Sequence, residues 1–185
     1  MEVIKTRRLI IFPLTKDDLE FWLHDDKKLE KKYRIKMFDN EYEESFYNII
    51  KMVKENMVND YLNYPFKTFW FIVKRINRHV IGIIDFKNWN LEKKIIEIGY
   101  DLIPKYRGHG YMTETVKAFC SWAFIHGIDS VYADTNIDNI KSQNVLKRSY
   151  FKEIDRDDLI HFVLLFLEKL LQFLKLYNQM SNQVL

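Results

Sequence analysis

The hydrophobic positions of this chain follow two different periods. Runs rich in β-branched and aromatic residues predict strands at 6–14, 68–75, 80–89, 95–103 and 130–135. Apolar residues at helical spacing predict helices from Thr15 onward, over 39–56, over 111–126 and from residue 140 onward. Short turns at 76–79 and 90–93 join three consecutive strands, which predicts an antiparallel meander. The pattern therefore favours an α+β fold whose mostly antiparallel sheet is flanked by helices.

The stretch from Ile95 to Ala118 has the order strand, glycine loop, helix. Pro104 cannot donate to a sheet ladder and ends the strand, and Gly108 and Gly110 follow in the loop. One face of the following helix is predicted to be buried, and Gly127 ends that helix. The residues of this face are Met112, Val116, Phe119, Cys120 and Ala123.

A glycine loop before a helix suits a phosphate group. The helix N-terminus offers backbone N–H groups and the positive end of the macrodipole, and glycines let the backbone approach an anion closely. Lys105 and Arg107 add positive charge, so we expect a diphosphate-bearing cofactor. A P-loop is excluded because Tyr111 and Met112 follow Gly110. A dinucleotide fingerprint is disfavoured because Thr113 stands where its third glycine belongs.

The motif P-K-Y-R-G-H-G-Y-M-T-E resembles the acetyl-CoA pyrophosphate loop of the GNAT acyltransferase superfamily, R/Q-x-x-G-x-G/A followed by Y-x-T-E. Lys105 stands where that family usually has Arg or Gln. I-E-I-G-Y-D-L before it resembles the strand whose splayed backbone holds the pantetheine arm. The resemblance implies the GNAT fold, acetyl-CoA as cosubstrate and a set of cofactor-binding residues. These are Ile103, Lys105, Arg107, Gly108, His109, Gly110, Tyr111 and Asn139.

Two further motifs resemble the same family. Thr6–Leu14 is similar to the T-x-R-L-x-L-R-P-L opening of the branch with ribosomal-protein N-terminal acetyltransferases (RimJ/RimL-like), except that Phe12 replaces the second Arg. N-I-K-S-Q-N-V-L-K-R-S-Y-F resembles N-x-x-S-x-x-V-L-E-K-L-G-F, which matches Asn139 and Ser142 and puts Ser-Tyr at 149–150 where Leu-Gly is usual. The resemblance covers roughly residues 6 to 155.

In that family an amine attacks the acetyl thioester directly. The resemblance implies that Ser142 donates to the departing thiolate, although this residue is equally a helical serine without a role. Asn139 holds a cofactor amide, caps the helix, or does both. Glu97 is the best-placed carboxylate for a general base, and its alternative is a strand residue paired to a lysine across the sheet. We predict that Cys120 is a buried structural thiol.

Composition limits the classes of protein considered. One domain is expected from 185 residues, and 48% hydrophobic residues exclude a disordered chain. A net charge of +3 gives no argument for nucleic acid, and the five histidines lack metal-ligand spacing. One cysteine, no signal-peptide pattern and no long apolar run favour a cytoplasmic protein away from membranes. The lysine-rich connector at 27–36 is a solvated face or a basic lip, and we favour the former.

Three functions stay open at this point. The leading one is acetyl transfer to a primary amine, either a peptide N-terminus or a small-molecule amine. The second is a CoA-binding regulatory or interaction protein without turnover, and the third is a nucleotide-binding module. Deprotonating an α-amine at pH 7 costs about 1–1.4 kcal/mol, against about 4.6 kcal/mol for a lysine-type amine, which favours a low-pKa acceptor.

The C-terminal segment departs from the family. We predict a GNAT domain over 1–166, closed by a short hairpin that turns near Asp155–Asp158, and a helical extension over 167–185. Its apolar arc is wide, so the helix must pack on its own domain or on a second copy of the chain. The short hairpin offers little sheet to cover the helix, which favours a homodimer.

Overall fold

The chain forms two compact units. The computed structural model describes residues 2–38, 43–57, 63–90 and 92–166, with the backbone alone of Trp89. The first unit comprises Met1–Lys87 and Ile98–Thr115, and the second comprises Asn88–Glu97 and Val116–Leu185. The predicted α+β class with a mixed, mostly antiparallel sheet is confirmed.

Strands β1 to β4 of the first unit pair antiparallel in sequence order, and β5 is the next neighbour. The strands are β1 (Ile4–Lys5), β2 (Leu9–Pro13), β3 (Phe69–Lys74), β4 (Val80–Asn90) and β5 (Ile95–Leu102). The helices are α1 (Lys16–His24), α2 (Asp26–Tyr33), α3 (Glu44–Asn56) and the start of α4 (Tyr111–Ile125). Two 3₁₀ turns lie at Tyr64–Phe66 and Pro104–Tyr106. The predicted antiparallel hairpin of the strands 68–75 and 80–89 is therefore confirmed, and the third strand of the predicted meander, β5, is the neighbour of β4.

Aromatic side chains form the core of this unit. Trp22 of α1 packs edge-on against Phe69 and Phe71 of β3, with ring centroids 5.8 and 4.9 Å apart. The helix predicted from Thr15 onward is α1, and Thr15 is its N-cap residue, since the Thr15 hydroxyl accepts from the Asp18 N–H at 3.2 Å. The Asp18 carboxylate accepts the Thr15 N–H in return, at 2.9 Å. Such a reciprocal pair satisfies two of the backbone donors that every helix start leaves over.

The prediction of a connector at 27–36 is wrong, because Asp26–Tyr33 is helix α2. Leu29 is the buried apolar residue of α2, which is too little to give a helical period. The lysines are exposed, as favoured, yet Lys32 donates to the fully buried Asp18 carboxylate at 2.6 Å. Tyr33 donates to the same carboxylate at 2.6 Å. Burial and this hydrogen bond raise the pKa of Tyr33.

The second unit contains the parallel strand pair. Its remaining elements are β6 (Ser130–Asn136), α5 (Ile140–Arg148), β7 (Lys152–Arg156) and β8 (Leu159–Leu165), in strand order β5-β6-β8-β7. The β5–β6 ladder is parallel and comprises three residue pairs, from Ile95↔Ser130 to Glu97↔Tyr132. The pairs β6–β8 and β7–β8 are antiparallel. The predicted short hairpin is confirmed, with its turn at 157–158.

The predicted buried face of α4 is also confirmed, because all five of its residues are buried. Gly127 ends this helix at φ +89°. On α5, Leu146 is buried, whereas Ile140 is 57% exposed. Position 140 opens the helix, nearly two turns before Leu146.

Two predictions lie outside the described residues. These are the first residues of the helix predicted over 39–56, of which Glu44–Asn56 is helical, and the C-terminal helix over 167–185 with its homodimer contact. Within the described parts of the chain, no helix has the length and apolar character needed to cross a membrane. The division into a domain over 1–166 and an extension stays a prediction, as does the cytoplasmic location.

Candidate active site

The glycine loop has the backbone geometry of an anion site. Gly108 and Gly110 have φ values of +80° and +75°, in the left-handed region where other residues are strained. The Glu114 N–H donates to the Gly110 carbonyl oxygen at 3.1 Å, so the first turn of α4 begins at Gly110. The backbone N–H groups of this first turn have no partner within the helix. The loop therefore ends at the positive pole of a helix, as predicted.

Arg8 of the first unit, the residue before β2, contacts this loop. Its Nη1 donates to the His109 carbonyl oxygen at 2.9 Å, and its Nε donates to Glu114 Oε2 at 2.6 Å. The guanidinium carbon also lies 4.5 Å from the centroid of the Tyr111 ring. These contacts place a cation against the loop that sequence analysis did not assign to the site.

The Glu114 carboxylate holds the other end of this arrangement. Its Oε1 accepts from the Thr6 hydroxyl at 2.6 Å and from the Arg8 backbone N–H at 2.9 Å. Burial alone raises the pKa of Glu114, but the hydrogen bonds from Thr6 and Arg8 together lower it below its ordinary value. The carboxylate is thus charged at neutral pH and pairs with the Arg8 guanidinium.

Lysine side chains surround the two tyrosine rings of the loop. The Lys74 ammonium lies 5.5 Å from the ring centroids of both Tyr106 and Tyr111, and the Lys105 ammonium lies 5.4 Å from that of Tyr106. Among the described residues, neither ammonium forms an ion pair with a carboxylate. This leaves positive charge beside the loop, which suits a polyanionic ligand.

Arg107 was predicted to face the cofactor, but part of its guanidinium is already engaged within the protein. Its Nε donates to the Leu102 carbonyl oxygen at 2.7 Å, and its Nη2 lies 3.0 Å from Asp101 Oδ1. These contacts fasten the loop to the end of β5. A cofactor contact by Arg107 stays a prediction.

The remaining predicted residues of the loop lie in the same stretch of the first unit. The His109 ring stacks on Tyr111 with centroids 5.8 Å apart, and its Nδ1 is 2.8 Å from the Arg107 carbonyl oxygen. Ile103 is buried, and its N–H donates to the Ile81 carbonyl oxygen at 3.0 Å. The structure therefore brings together the residues predicted from 103 to 111.

Asn139 and Ser142 lie together in the second unit, at the start of α5. Asn139 is the N-cap residue, and its Oδ1 accepts from the Ser142 N–H at 3.1 Å. Gln143 is buried, and its amide donates to the Ile137 carbonyl oxygen at 2.8 Å, which fixes the loop before the helix. The capping role of Asn139 is confirmed, and its cofactor role stays a prediction.

Glu97 is half-buried on β5, at the last residue pair of the parallel ladder. Its Oε2 accepts from the Asn88 side-chain amide at 2.7 Å. This partner of Glu97 is therefore a neutral amide, and not the lysine expected for a purely structural strand residue. The role of Glu97 as a base stays a prediction.

Two further reactive side chains, Cys120 and His161, lie outside the glycine loop. Cys120 is fully buried, as predicted for a structural thiol. His161 of β8 has Asp134 Oδ1 2.8 Å from Nδ1 and Asp157 Oδ1 3.1 Å from Nε2, and these two hydrogen bonds raise the pKa of His161. Within the described residues, no three His, Cys, Asp or Glu side chains are arranged to hold a metal ion.

Comparison with known families identifies the fold. The model of the acetyltransferase (GNAT) domain matches residues 8–152, more than three quarters of the chain. The chain belongs to the GNAT family of N-acetyltransferases. The glycine loop, α4 and the start of α5 all lie within the matched region of this GNAT protein.

Individual relatives agree with the family. A Bacillus subtilis protein named as an uncharacterised N-acetyltransferase, YjdG, is 28% identical over 107 residues, which are 57% of this chain and 63% of that protein. The match thus spans less than two thirds of this relative's length. RimL, a ribosomal L7/L12 α-N-protein acetyltransferase solved with coenzyme A, has a TM-score of 0.64 at 16% identity, with 89% of this chain and 98% of that chain covered. A dodecameric spermidine N-acetyltransferase from Vibrio cholerae has a TM-score of 0.62 at 16% identity, with 86% and 95% covered.

Sequence analysis missed three residues beside the glycine loop of this GNAT protein and one residue near the start of α5. Thr6, Arg8 and Glu114 stand in the two motifs that carry the family resemblance, so the motifs contained the signal. Their mutual contact joins residues 106 positions apart, which no local period can reveal. Gln143 carried no signal beyond being a polar residue on a helix.

Proposed function

We propose that this GNAT protein transfers the acetyl group of acetyl-CoA to a primary amine. The observation that carries the proposal is the loop with Gly108 and Gly110 at positive φ, directly before α4 and beside Lys74 and Lys105. Backbone N–H donors, a helix N-terminus and ammonium groups without carboxylate partners are the donor set that a diphosphate needs. The family match supplies the reaction type.

The proposed roles follow from the chemistry of each group. The acceptor nitrogen attacks the thioester carbonyl carbon, the carbon–sulfur bond breaks, and the nitrogen loses a proton. Glu97 takes up that proton, directly or through water, because its carboxylate lies at mid-strand on β5, whereas the other carboxylate of β5, Asp101, is paired with Arg107. Ser142 donates a hydrogen bond to the departing sulfur, and Asn139 contacts an amide of the pantetheine arm while it caps α5.

The acceptor that we propose is an α-amine of a peptide or a small amine of similarly low pKa. RimL is named for a protein α-amine and the Vibrio cholerae enzyme for a polyamine, so the two relatives represent both acceptor classes. At pH 7, deprotonating an α-amine costs about 1–1.4 kcal/mol, whereas deprotonating an amine with the pKa of lysine costs about 4.6 kcal/mol. Glu97 is half-buried and has a neutral amide as its neighbour, so it is better suited to the α-amine, whose deprotonation costs less.

Two assays test the proposal. Calorimetry measures CoA binding, and release of free thiol measures acetyl transfer to a panel of peptides and polyamines. We expect CoA binding together with faster transfer to α-amines. Binding of CoA without transfer to any amine would instead support a regulatory CoA-binding protein, the second candidate. Binding of ATP or NAD without CoA would support a nucleotide-binding module.

Gly110→Glu tests the role of the loop directly. The substitution places a negative charge beside the proposed diphosphate position, so CoA binding should be lost. Gly110→Ala is the matched control, because its Cβ meets Arg8 Nη2 at an ordinary 3.5 Å and imposes the same backbone strain without the charge. A folded Gly110→Glu variant with the CoA affinity of Gly110→Ala would contradict the proposed position of the diphosphate.

A further inference from the structure

The glycine loop has two positions of high backbone freedom. Gly108 and Gly110 flank His109 and have no side chains, and a Cβ at Gly108 would meet no atom within 4 Å. Glycine populates positive and negative φ about equally, so the peptide planes at its sides rotate readily. A loop of this kind needs an outside contact to keep its N–H groups in one orientation.

Arg8 makes that contact. Its Nη1 donates to the His109 carbonyl oxygen at 2.9 Å, which fixes the peptide that joins His109 to Gly110. In a trans peptide the carbonyl and the N–H point in opposite directions. The Gly110 N–H is therefore directed away from Arg8, and no peptide bond in the described chain is cis.

Arg8 is itself held in place by its surroundings. Glu114 accepts from Arg8 Nε at 2.6 Å and from the Arg8 backbone N–H at 2.9 Å, and Thr6 donates to the same carboxylate at 2.6 Å. The ring of Tyr111 lies against the guanidinium at 4.5 Å. The planar fork of arginine holds Nε on Glu114 and Nη1 on the His109 carbonyl in one fixed geometry, whereas the three donors of a lysine ammonium rotate about a single nitrogen. Because the Glu114 carboxylate neutralises the Arg8 guanidinium, the positive charge of Arg8 is balanced within the protein.

We propose that Arg8 is a positioning residue that fixes the His109–Gly110 peptide plane and so keeps the glycine loop ready to bind the diphosphate of CoA. Glu114 and Thr6 orient Arg8 for this purpose. The inference rests on the proposed function, since it explains how the loop is prepared for that ligand. It predicts that loop order and CoA affinity depend on the shape of the Arg8 side chain more than on its charge.

The experiment compares four substitutions. Arg8→Ala removes the contact, Arg8→Lys keeps the charge without the fork, and Glu114→Gln removes the charge that orients Arg8. Arg7→Ala is the matched control, because it deletes a neighbouring charge on an exposed side chain. Calorimetry measures CoA affinity, thermal unfolding identifies the folded variants, and amide hydrogen exchange of the free protein measures the order of residues 108–111.

We expect Arg8→Ala and Arg8→Lys each to weaken CoA binding about 10- to 100-fold, the range for a lost hydrogen bond from a charged group. Both should also speed exchange in the loop, whereas Arg7→Ala should change neither quantity. Glu114→Gln should give a smaller loss, and the double variant with Arg8→Ala should be no worse than Arg8→Ala alone, because the two residues act as a unit.

Three results would overturn the inference. Arg8→Lys with wild-type affinity would mean that charge alone matters, and equal losses in Arg8→Ala and Arg7→Ala would mean a general electrostatic effect. Wild-type loop exchange in Arg8→Ala would show that the peptide plane is held by other contacts. Absence of CoA binding in the wild-type protein would instead refute the proposed function, and the exchange data would still report whether Arg8 orders the loop.

Discussion

Tyr150 occupies a backbone position that normally belongs to glycine. It follows the C-cap of α5 with φ +72°. Its N–H donates to the Lys147 carbonyl oxygen, and the Phe151 N–H donates to the Leu146 carbonyl oxygen, both at 3.1 Å. This pair of bonds, with the buried Leu146 and Phe151 beside it, is a Schellman motif. Left-handed backbone costs a residue with a Cβ roughly 1–2 kcal/mol.

One contact of the Tyr150 ring offsets part of that strain. The Lys117 ammonium lies 4.2 Å from the ring centroid, a cation–π contact worth about 0.5–1 kcal/mol at an exposed site. Tyr150→Ala keeps the strain and loses this contact, so we expect a loss of about 0.5–1 kcal/mol. Tyr150→Gly loses the contact but relieves the strain. The Gly variant should therefore be about 1 kcal/mol more stable than the Ala variant, a reversal of their order in helices and strands.

Urea unfolding of the two variants and the wild type tests this order. Lys117→Met supplies the control, because it removes the cation and leaves the backbone of Tyr150 unchanged. The change in unfolding free energy that Lys117→Met causes in the wild type, minus the change that it causes in Tyr150→Ala, isolates the cation–π contact from the other contacts of Lys117. A Gly variant that is equally or less stable than the Ala variant would refute the claim that the left-handed backbone is strained.

Further predictions concern catalysis, pH and assembly. Ser142→Ala should lower kcat about 10- to 10³-fold with little change in acetyl-CoA affinity, and Glu97→Gln should remove the low-pH limb of the rate profile; wild-type rates and profiles would leave both residues structural. The raised pKa of His161 means that its ion pairs stabilise the fold below about pH 6.5 and are lost as pH rises through the folded-state pKa, so the urea midpoint of His161→Gln should approach that of the wild type at high pH. A difference independent of pH would contradict this. Light scattering of the intact chain and of a chain ended after Phe166 should show a dimer and a monomer, and an intact monomer at micromolar concentration would rule out the homodimer.

Local patterns sufficed for most elements and failed where an element depends on distant contacts. Strands β2 to β6 contain enough β-branched and aromatic residues to be recognised, and α4 buries a complete apolar face. Helix α2 buries Leu29 and is otherwise mostly charged, so its sequence shows no hydrophobic period of a helix. Its stabilising contacts, from Lys32 and Tyr33 to Asp18, span 14 and 15 residues and involve polar groups. A hydrophobic period cannot report an interaction of that kind.

The candidate site divides in the same way. The glycine loop was predicted because the glycines and basic residues that define it lie close together in the sequence. The engagement of Arg107 with Asp101 and the Leu102 carbonyl was missed, because motif matching assigns a cation to its ligand without asking which acceptors of the protein lie nearer. Proximity along the chain gives such acceptors an advantage, since the bond orders the Arg107 side chain without a further loss of backbone entropy.

The contact between Arg8 and Glu114 explains why two distant motifs are informative together. The Glu114 side chain is 18% exposed, so a version without the Arg8 side chain would leave a largely buried carboxylate without its charge partner and without the hydrogen bond from Nε. The backbone N–H of residue 8 would survive a substitution, but the guanidinium would not. A chain with the glycine loop and the glutamate must therefore supply a cation at the start of β2 or replace the glutamate. The joint presence of T-x-R-L and G-x-G-Y-x-T-E is thus a physical requirement of one contact, and it carries more weight than either motif alone.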